Sequence, residues 1–222
     1  MQIISVTSKK KCIKRSPKKP RRALAAVAVA VVAFAVLGGY FAHSHQEDAH
    51  ISYIGDIPVV QSYLPEGCAS RPGIKRTIQY IVIHETDNFK AGANARAHNL
   101  FLLSQADTQE LSWHYTVDDH EIYHNLPDDE AAYHASDRLN QNGGNRNGIG
   151  IELCVNEDGD YEKTLENGVQ LVAKLLREYD LSVEDVKTHQ DFSGKICPAR
   201  LIENNRWDEF LERVRAAQAQ IA

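Results

Sequence analysis

Residues 23–42 read ALAAVAVAVVAFAVLGGYFA, an uncharged run of 20 residues that directly follows a strongly basic leader. At about 1.5 Å rise per residue, a helix of this length crosses the roughly 30 Å hydrocarbon core of a bilayer. The basic leader, residues 1–22, is expected to stay in the cytoplasm, because Lys and Arg are enriched on that side of membrane helices. The run therefore predicts a single-pass membrane protein whose remaining residues lie outside the cytoplasm.

Two other interpretations of the apolar run are a buried core helix and a cleavable signal peptide. Cleavage after Gly39 or Ala42 would give a secreted protein. Tyr40 stands at position −3 of a cut after Ala42, where a small residue is wanted, and the basic leader is long for a signal peptide. Both features favour an uncleaved anchor.

The charges are distributed unevenly along the chain. Nine of the 25 Lys and Arg residues lie in residues 1–22, which contain no Asp or Glu, so 16 basic and 30 acidic residues follow. The part after residue 22 carries a net charge of −14. Because binding to phosphates needs a basic face, nucleic acid is excluded as a partner of this part.

After the apolar run, residues 43–63 are predicted to form a polar stalk, since prolines such as Pro58 interrupt long regular elements. Residues 64–222 are predicted to form one folded domain. Its apolar patterns predict strands at 77–84, 114–117, 121–126, 149–155 and 186–189, and helices at 91–106, 161–179 and about 207–214. Strands and helices interleave, which indicates an α/β domain with a single mixed sheet flanked by helices.

Three residues at strand ends or in loops have the types that bind zinc. His84 ends the first core strand, His189 ends the last, and Cys197 follows eight residues later. Catalytic zinc sites use three protein ligands and leave a fourth position open. A strand-end His is also a common hydrogen-bonding residue and a lone Cys a common core residue, so the residues alone leave both interpretations open. The exported part holds Cys68, Cys154 and Cys197, an odd number that leaves one cysteine for a role other than a disulfide.

Seven segments carry a family resemblance in their order and spacing. They are SRPG (70–73), IVIHETDN (81–88), GANA (92–95), SWHYTVDD (112–119), IYHNLPDDEAAYHASD (122–137), GNRNGIGIELC (144–154) and THQDFSGKICP (188–198). Together they resemble the zinc-dependent N-acetylmuramoyl-L-alanine amidases of the phage-lysozyme and peptidoglycan-recognition-protein type, most of all the Bacillus and Bacillus-phage branch. The resemblance covers residues 64–202.

The resemblance implies that His84, His189 and Cys197 bind one Zn²⁺ per domain. It also implies that Glu152 is the catalytic acid and base and that Lys195 lies beside the open zinc position. Alternation along the strand puts Glu152 on the face opposite the apolar residues, where it is available for this role. The implied reaction is hydrolysis of the amide between N-acetylmuramic acid and L-alanine in peptidoglycan.

Four further residues are candidates for the substrate groove. Trp113 and His134 are expected to line it by the same resemblance, and Asn145 and Arg146 are expected either to shape its rim or to stabilise the turn in which they lie. His134 is expected to form a hydrogen bond with the muramoyl group or the peptide. Trp113 departs from the phage-lysozyme type, which has a catalytic Tyr at this position. Because an indole N–H does not exchange a proton near neutral pH, proton transfer is expected to fall to Glu152.

Two alternative functions remain at this point. The first is a peptidoglycan-binding module of the same fold without catalysis, which occurs when the zinc-binding Cys is replaced. Cys197 is present here. The second is a Cys-His hydrolase with Cys154 as the nucleophile.

Overall fold

Seven strands form one mixed sheet in the computed structural model, which describes residues 50–220. The strands are β1 (His50–Ile54), β2 (Ile57–Gln61), β3 (Tyr80–Glu85), β4 (Tyr115–Val117), β5 (Ile122–His124), β6 (Gly148–Leu153) and β7 (Val186–Thr188). Their order across the sheet is β1-β2-β5-β4-β6-β3-β7. The pairs β1 with β2 and β4 with β5 are antiparallel, and the other neighbours are parallel. The predicted single mixed sheet is confirmed.

Six α-helices accompany the sheet in the described part of the chain. They are α1 (Ala95–Gln105), α2 (Gly144–Asn147), α3 (Tyr161–Glu178), α4 (Gln190–Ser193), α5 (Ala199–Glu203) and α6 (Trp207–Gln220). The side chain of Asn94 accepts a hydrogen bond from the Ala97 N–H at the start of α1, and Asp160 accepts one from the Lys163 N–H at the start of α3. Each cap satisfies a backbone donor that the first helical turn leaves without a partner.

One face of the sheet forms the main hydrophobic core. Ile83 of β3 and Ile151 of β6 point into it, and α3 and α6 cover it with residues such as Val172 and Phe210. The apolar stripe of α3 falls at helical spacing, so one side of this helix is buried along its length. Full burial of each such side chain stabilises the fold by roughly 1.5–3 kcal/mol.

The opposite face of the sheet carries polar residues. Because side chains alternate along a strand, His84, Glu152 and Thr116 lie on the face opposite the isoleucines. The register pairs Glu152 with His84 on one side and with Thr116 on the other, so the three residues form a row. A smaller apolar cluster that includes Leu102 of α1 and Trp113 forms away from the main core.

Residues 50–61 differ from the predicted stalk, because they form the hairpin β1 and β2 and add two strands to the sheet. Gly55 and Asp56 make a two-residue turn, and Gly55 has a φ of +58°, a conformation that glycine adopts at little cost. Pro58 is accommodated opposite Tyr53 near the turn of this hairpin. Proline therefore did not prevent a strand at this place.

Residues 1–49 and 221–222 lie outside the described part of the chain. The predicted leader (1–22), the membrane segment (23–42) and the first residues of the predicted stalk all fall there. Within residues 50–220, none of the helices has the length and apolar character needed to span a bilayer.

The element boundaries show smaller differences from the sequence prediction. A short helical turn, α2, lies between the predicted strands at 121–126 and 149–155, and strand β3 continues one residue past His84 to Glu85. His189 follows β7 directly and begins the turn that leads into α4.

Candidate active site

His84 and His189 meet because their strands are parallel neighbours in the sheet. The register pairs Ile83 of β3 with Thr188 of β7, so both histidines lie at the carboxyl ends of these strands. Their Nδ1 atoms are 3.1 Å apart, and Cys197 Sγ lies 3.9 Å from His84 Nδ1. All three ligand atoms fall within 4.8 Å of one another, and the three residues are buried.

The two separations that involve His84 Nδ1 are close to those around a tetrahedral zinc ion. With Zn–N distances of about 2.0–2.1 Å and a Zn–S distance of about 2.3 Å, two nitrogen ligands lie about 3.3 Å apart and a nitrogen and a sulfur about 3.6 Å apart. The observed separations of 3.1 and 3.9 Å lie close to these values. Two imidazoles and one thiol also match the ligand types of a catalytic zinc site that keeps one position open.

The two imidazoles are oriented by partners on their far sides. His84 Nε2 lies 2.9 Å from His134 Nδ1, and His189 Nε2 lies 3.2 Å from Ser136 Oγ. These contacts leave the Nδ1 atoms facing each other. Burial lowers the pKa of both His84 and His189, which favours the neutral imidazole that a metal requires.

Cys197 is held beside His84 by Glu85. The Glu85 backbone N–H donates to Cys197 Sγ at 3.4 Å, and its carboxylate accepts from the Arg200 N–H at 2.8 Å and from the Tyr161 hydroxyl. This one residue therefore links the end of β3 to the segment that carries Cys197. Glu85 was not among the site residues predicted from the sequence, where its only signal was its position next to His84.

Glu152 occupies the middle of the polar row, next to His84 in the register. Its Oε2 is buried and has no hydrogen-bond partner among the described residues. Burial raises the pKa of Glu152 to about 8, although the positive charge of Lys195 opposes the shift. A carboxyl group with such a pKa can both take up and release a proton near neutral pH.

A cavity of about 360 Å³ opens over this site and reaches Glu152, Lys195 and all three candidate ligands. A second cavity of about 400 Å³ shares Glu152, Lys195 and Trp113 with the first and continues toward α1. The two form one groove with the candidate metal site in its floor. Lys195 is exposed at the wall of this groove.

Two of the residues expected to bind substrate use their polar atoms within the protein. Trp113 Nε1 donates to Thr116 Oγ1 at 2.7 Å. Asn145 Oδ1 accepts from the backbone N–H groups of His134 at 2.6 Å and Ala135 at 2.5 Å. Trp113 and Asn145 line the cavity, so their contact with substrate stays a prediction, while their hydrogen bonds shape its wall.

The other two expected substrate residues lie in different surroundings. Arg146 is half-buried on α2, and the residues that line the cavity do not include it. His134 does line the cavity, but its side chain is buried and its Nδ1 contacts His84. A substrate hydrogen bond from either residue stays a prediction.

Cys154 has a poor environment for a nucleophile. The residue is 2% exposed, and burial raises the pKa of its thiol above the usual value. Since the thiolate is the reactive form, a buried thiol that holds its proton reacts slowly. In residues 50–220 Cys68, Cys154 and Cys197 are all unpaired, so the structure contains no bond between Cys68 and Cys154.

Comparisons with known proteins agree with this geometry. The profile of the N-acetylmuramoyl-L-alanine amidase family matches residues 74–200. The N-acetylmuramoyl-L-alanine amidases XlyA and CwlH of Bacillus subtilis (strain 168) are 42% identical over 154 residues and 40% identical over 158 residues, which cover 69% and 71% of this chain. The solved catalytic domain of XlyA superposes with a TM-score of 0.66 at 40% identity and covers 70% of this chain and 98% of that domain.

The chain therefore belongs to the N-acetylmuramoyl-L-alanine amidase family. The matches span 50% of the length of XlyA and 61% of the length of CwlH, so the likeness concerns one part of these relatives.

Proposed function

We propose that this protein is a peptidoglycan hydrolase that cleaves the amide bond between N-acetylmuramic acid and L-alanine. The observation that carries this proposal is the set of His84, His189 and Cys197 ligand atoms, which lie within 4.8 Å of one another in the floor of a groove, beside a buried carboxyl group without a partner among the described residues. The family membership and the names of the relatives support the same reaction.

His84, His189 and Cys197 would hold a zinc ion. Bound there, zinc supplies Lewis-acid chemistry, which polarises a carbonyl group and acidifies a water molecule. The two Nδ1 atoms, which face each other at 3.1 Å, and the Cys197 sulfur would provide the donors, and the partners of these three side chains keep them in place.

Glu152 acts as the general base and then as the general acid. Its carboxylate takes a proton from the attacking water and later gives a proton to the leaving amine of L-alanine. Burial raises the pKa of Glu152, which favours the protonated form that gives a proton to the leaving amine. Trp113 takes no part in proton transfer, because its indole N–H is bonded to Thr116.

Lys195 stabilises the charge that develops on the carbonyl oxygen during attack. Its ammonium group is exposed in the wall of the same groove and is close enough to Glu152 to oppose the rise of that carboxyl pKa. A positive charge placed where negative charge develops lowers the barrier of acyl transfer.

The protein acts outside the cytoplasm in this proposal. Residues 23–42 form a signal anchor, residues 1–22 remain in the cytoplasm, and the domain that follows the anchor reaches peptidoglycan. The structural domain begins earlier than the boundary at residue 64 that the sequence suggested, since the hairpin at 50–61 belongs to its sheet.

The test of the metal-dependent reaction combines zinc content with amide hydrolysis. His84→Ala, His189→Ala and Cys197→Ser are each expected to lose the bound zinc and the activity, because each removes one of three ligands. The purified parent is expected to hold one zinc per chain, and digestion of purified sacculi should create new L-alanine amino termini.

Cys154→Ala is the matched control for Cys197→Ser, since both change a buried cysteine of the same domain. It should retain zinc and hydrolysis. Full activity in any of the three ligand variants would refute the assignment, and a zinc-loaded parent that binds sacculi without cutting them would favour the non-catalytic binding module.

A further inference from the structure

His134 makes a direct contact with one candidate zinc ligand. Its Nδ1 lies 2.9 Å from His84 Nε2, and the two rings meet edge to face with centroids 5.0 Å apart at 88°. The His134 side chain is 6% exposed, so water does not compete freely for this contact. The hydrogen bond between the two rings is therefore a fixed part of the site.

The direction of this hydrogen bond follows from the role of His84. A neutral imidazole carries one proton, and a ring that offers the Nδ1 lone pair to a metal must carry that proton on Nε2. His84 Nε2–H then donates, and His134 Nδ1 accepts. In the reverse arrangement His134 would donate, His84 would hold its proton on Nδ1, and the nitrogen that faces His189 would have no lone pair to offer.

The surrounding backbone holds the His134 ring in place. The His134 N–H donates to Asn145 Oδ1 at 2.6 Å, which ties the segment to α2. On the other side the ring packs against Gly150 of β6, where a Cβ atom would lie 2.6 Å from His134 Cγ. Glycine at this position leaves the room that the ring needs above the sheet, two residues before Glu152.

We propose that His134 is a positioning residue that selects the Nε2–H tautomer of His84 and thereby commits Nδ1 of His84 to the metal. This role differs from the substrate hydrogen bond that the family resemblance suggests. It rests on the proposed function only in taking His84, His189 and Cys197 as the zinc ligands. Partners of this kind orient metal-bound histidines, and their loss typically costs 10-fold to 100-fold in metal affinity.

Two variants of the full chain separate the hydrogen bond from simple packing. His134→Leu replaces the imidazole by an apolar side chain of similar size and so removes the Nδ1 acceptor. His134→Asn keeps a side-chain oxygen at the δ position, where it can accept from His84 Nε2–H. Zinc affinity is measured by competition with a chelator of known affinity. We expect about 10-fold to 100-fold weaker binding for His134→Leu and most of the parent's affinity for His134→Asn.

The tautomer of His84 provides a second measurement, which does not depend on catalytic activity. In the zinc-free chain with ¹⁵N-labelled histidines, long-range proton-nitrogen spectra report which ring nitrogen carries the proton, with His84→Ala used to assign the signals. The parent and His134→Asn should show the Nε2–H form of His84, and His134→Leu should show a mixture with the Nδ1–H form. This measurement is made on the parent and needs neither His134 variant to fold.

The outcomes decide the proposal separately from the proposed function. An Nδ1–H form of His84 in the zinc-free parent overturns it, and so does parent-like zinc affinity in a folded His134→Leu variant. Equal losses of affinity in His134→Leu and His134→Asn also overturn it, because they would indicate packing alone. A parent that binds zinc with the expected tautomer but hydrolyses no amide leaves this inference standing and refutes the proposed reaction instead.

Discussion

Glu152 differs from the three candidate ligands in having a polar atom without a partner. The side chains of His84, His189 and Cys197 all contact other groups of the protein, whereas Glu152 Oε2 is buried and bonds to none of the described residues. A buried polar atom without a partner costs about 1–3 kcal/mol. Such a cost at one carboxyl group, beside three ligand atoms, is typical of a residue retained for catalysis.

Substitution of Glu152 by Gln should therefore separate proton transfer from zinc binding. Glu152→Gln preserves the shape of the side chain but cannot take up a proton at neutral pH, so hydrolysis should fall by roughly 10²-fold to 10⁴-fold. Zinc content and binding to sacculi should remain at parent levels, and all three quantities are measured on the same preparation. If the variant loses its zinc, Glu152 is a ligand or supports one; if it hydrolyses at the parent rate, another residue moves the proton.

Lys195 can be compared with Glu152, because both side chains line the groove and neither forms a hydrogen bond with a candidate zinc ligand. Lys195→Ala should keep zinc and reduce the turnover rate by about 10²-fold to 10³-fold, as the loss of an oxyanion stabiliser does. Lys195→Arg should recover part of the rate, since it restores a positive charge. Unchanged turnover in Lys195→Ala would mean that the ammonium group lies away from the reacting oxygen.

Asp128 connects three elements on the far side of the sheet. It accepts hydrogen bonds from Tyr115 of β4 at 3.0 Å, from Tyr179 after α3 at 2.8 Å, and from His124 of β5 at 3.0 Å. Burial alone would raise the pKa of Asp128, but the hydrogen bond and charge of His124 outweigh it and lower the pKa to about 2. The charged carboxylate therefore stabilises the folded state.

The pH dependence of stability should reveal this contribution. A carboxyl group whose pKa falls from 3.8 to about 2 on folding stabilises the protein fully above about pH 4, and loses the effect as the pH falls toward 2. At neutral pH, Asp128→Asn should lower the free energy of unfolding by about 2 kcal/mol, and this deficit should shrink below pH 4. Urea unfolding at several pH values measures it.

Asp129→Asn is the matched control for Asp128→Asn, because the neighbouring carboxylate is 58% exposed and pairs with an exposed Lys75. Exposed ion pairs contribute little to stability. A constant deficit for Asp128→Asn from pH 7 to pH 2 would show that hydrogen-bond geometry, rather than charge, is what the carboxylate contributes.

Strand periodicity predicted much of the sheet and of the site. Alternation along β6 predicted that Glu152 lies on the face opposite the apolar residues. The predicted end of β3 placed His84 near the carboxyl ends of the strands. These features depend on local patterns that a single sequence contains.

Contacts between distant segments were not predictable in the same way. The bond between His84 and His134 joins residues 50 positions apart and depends on the absence of a side chain at Gly150. The hairpin β1 and β2 had a local signal, a Gly55–Asp56 turn between apolar residues, but Pro58 and the polar neighbours suggested a stalk. Strand β2 pairs with β5 through only three residues. It therefore gains its stability from the sheet rather than from its own sequence.

The whole chain combines a basic leader with an acidic remainder. Nine positive charges precede the apolar run, and a net charge of −14 follows it. If residues 23–42 span a membrane as proposed, the leader favours one orientation there, and the acidic remainder gives no attraction to anionic polymers of a cell wall. Contact with peptidoglycan should therefore depend on the groove and on the position of the anchor rather than on long-range charge.

The orientation of the chain can be tested in intact cells. Because residues 1–22 should remain in the cytoplasm, protease added outside should digest the domain at residues 50–220 and leave a tag on the leader protected until the cells are lysed. As a matched control, replacement of the nine leader Lys and Arg residues by Gln should reduce the fraction of chains in this orientation.

A domain that external protease cannot reach would contradict the orientation. A released protein that begins near residue 40 or 43 would instead show that the apolar run is cleaved as a signal peptide, and the enzyme would then act without an anchor.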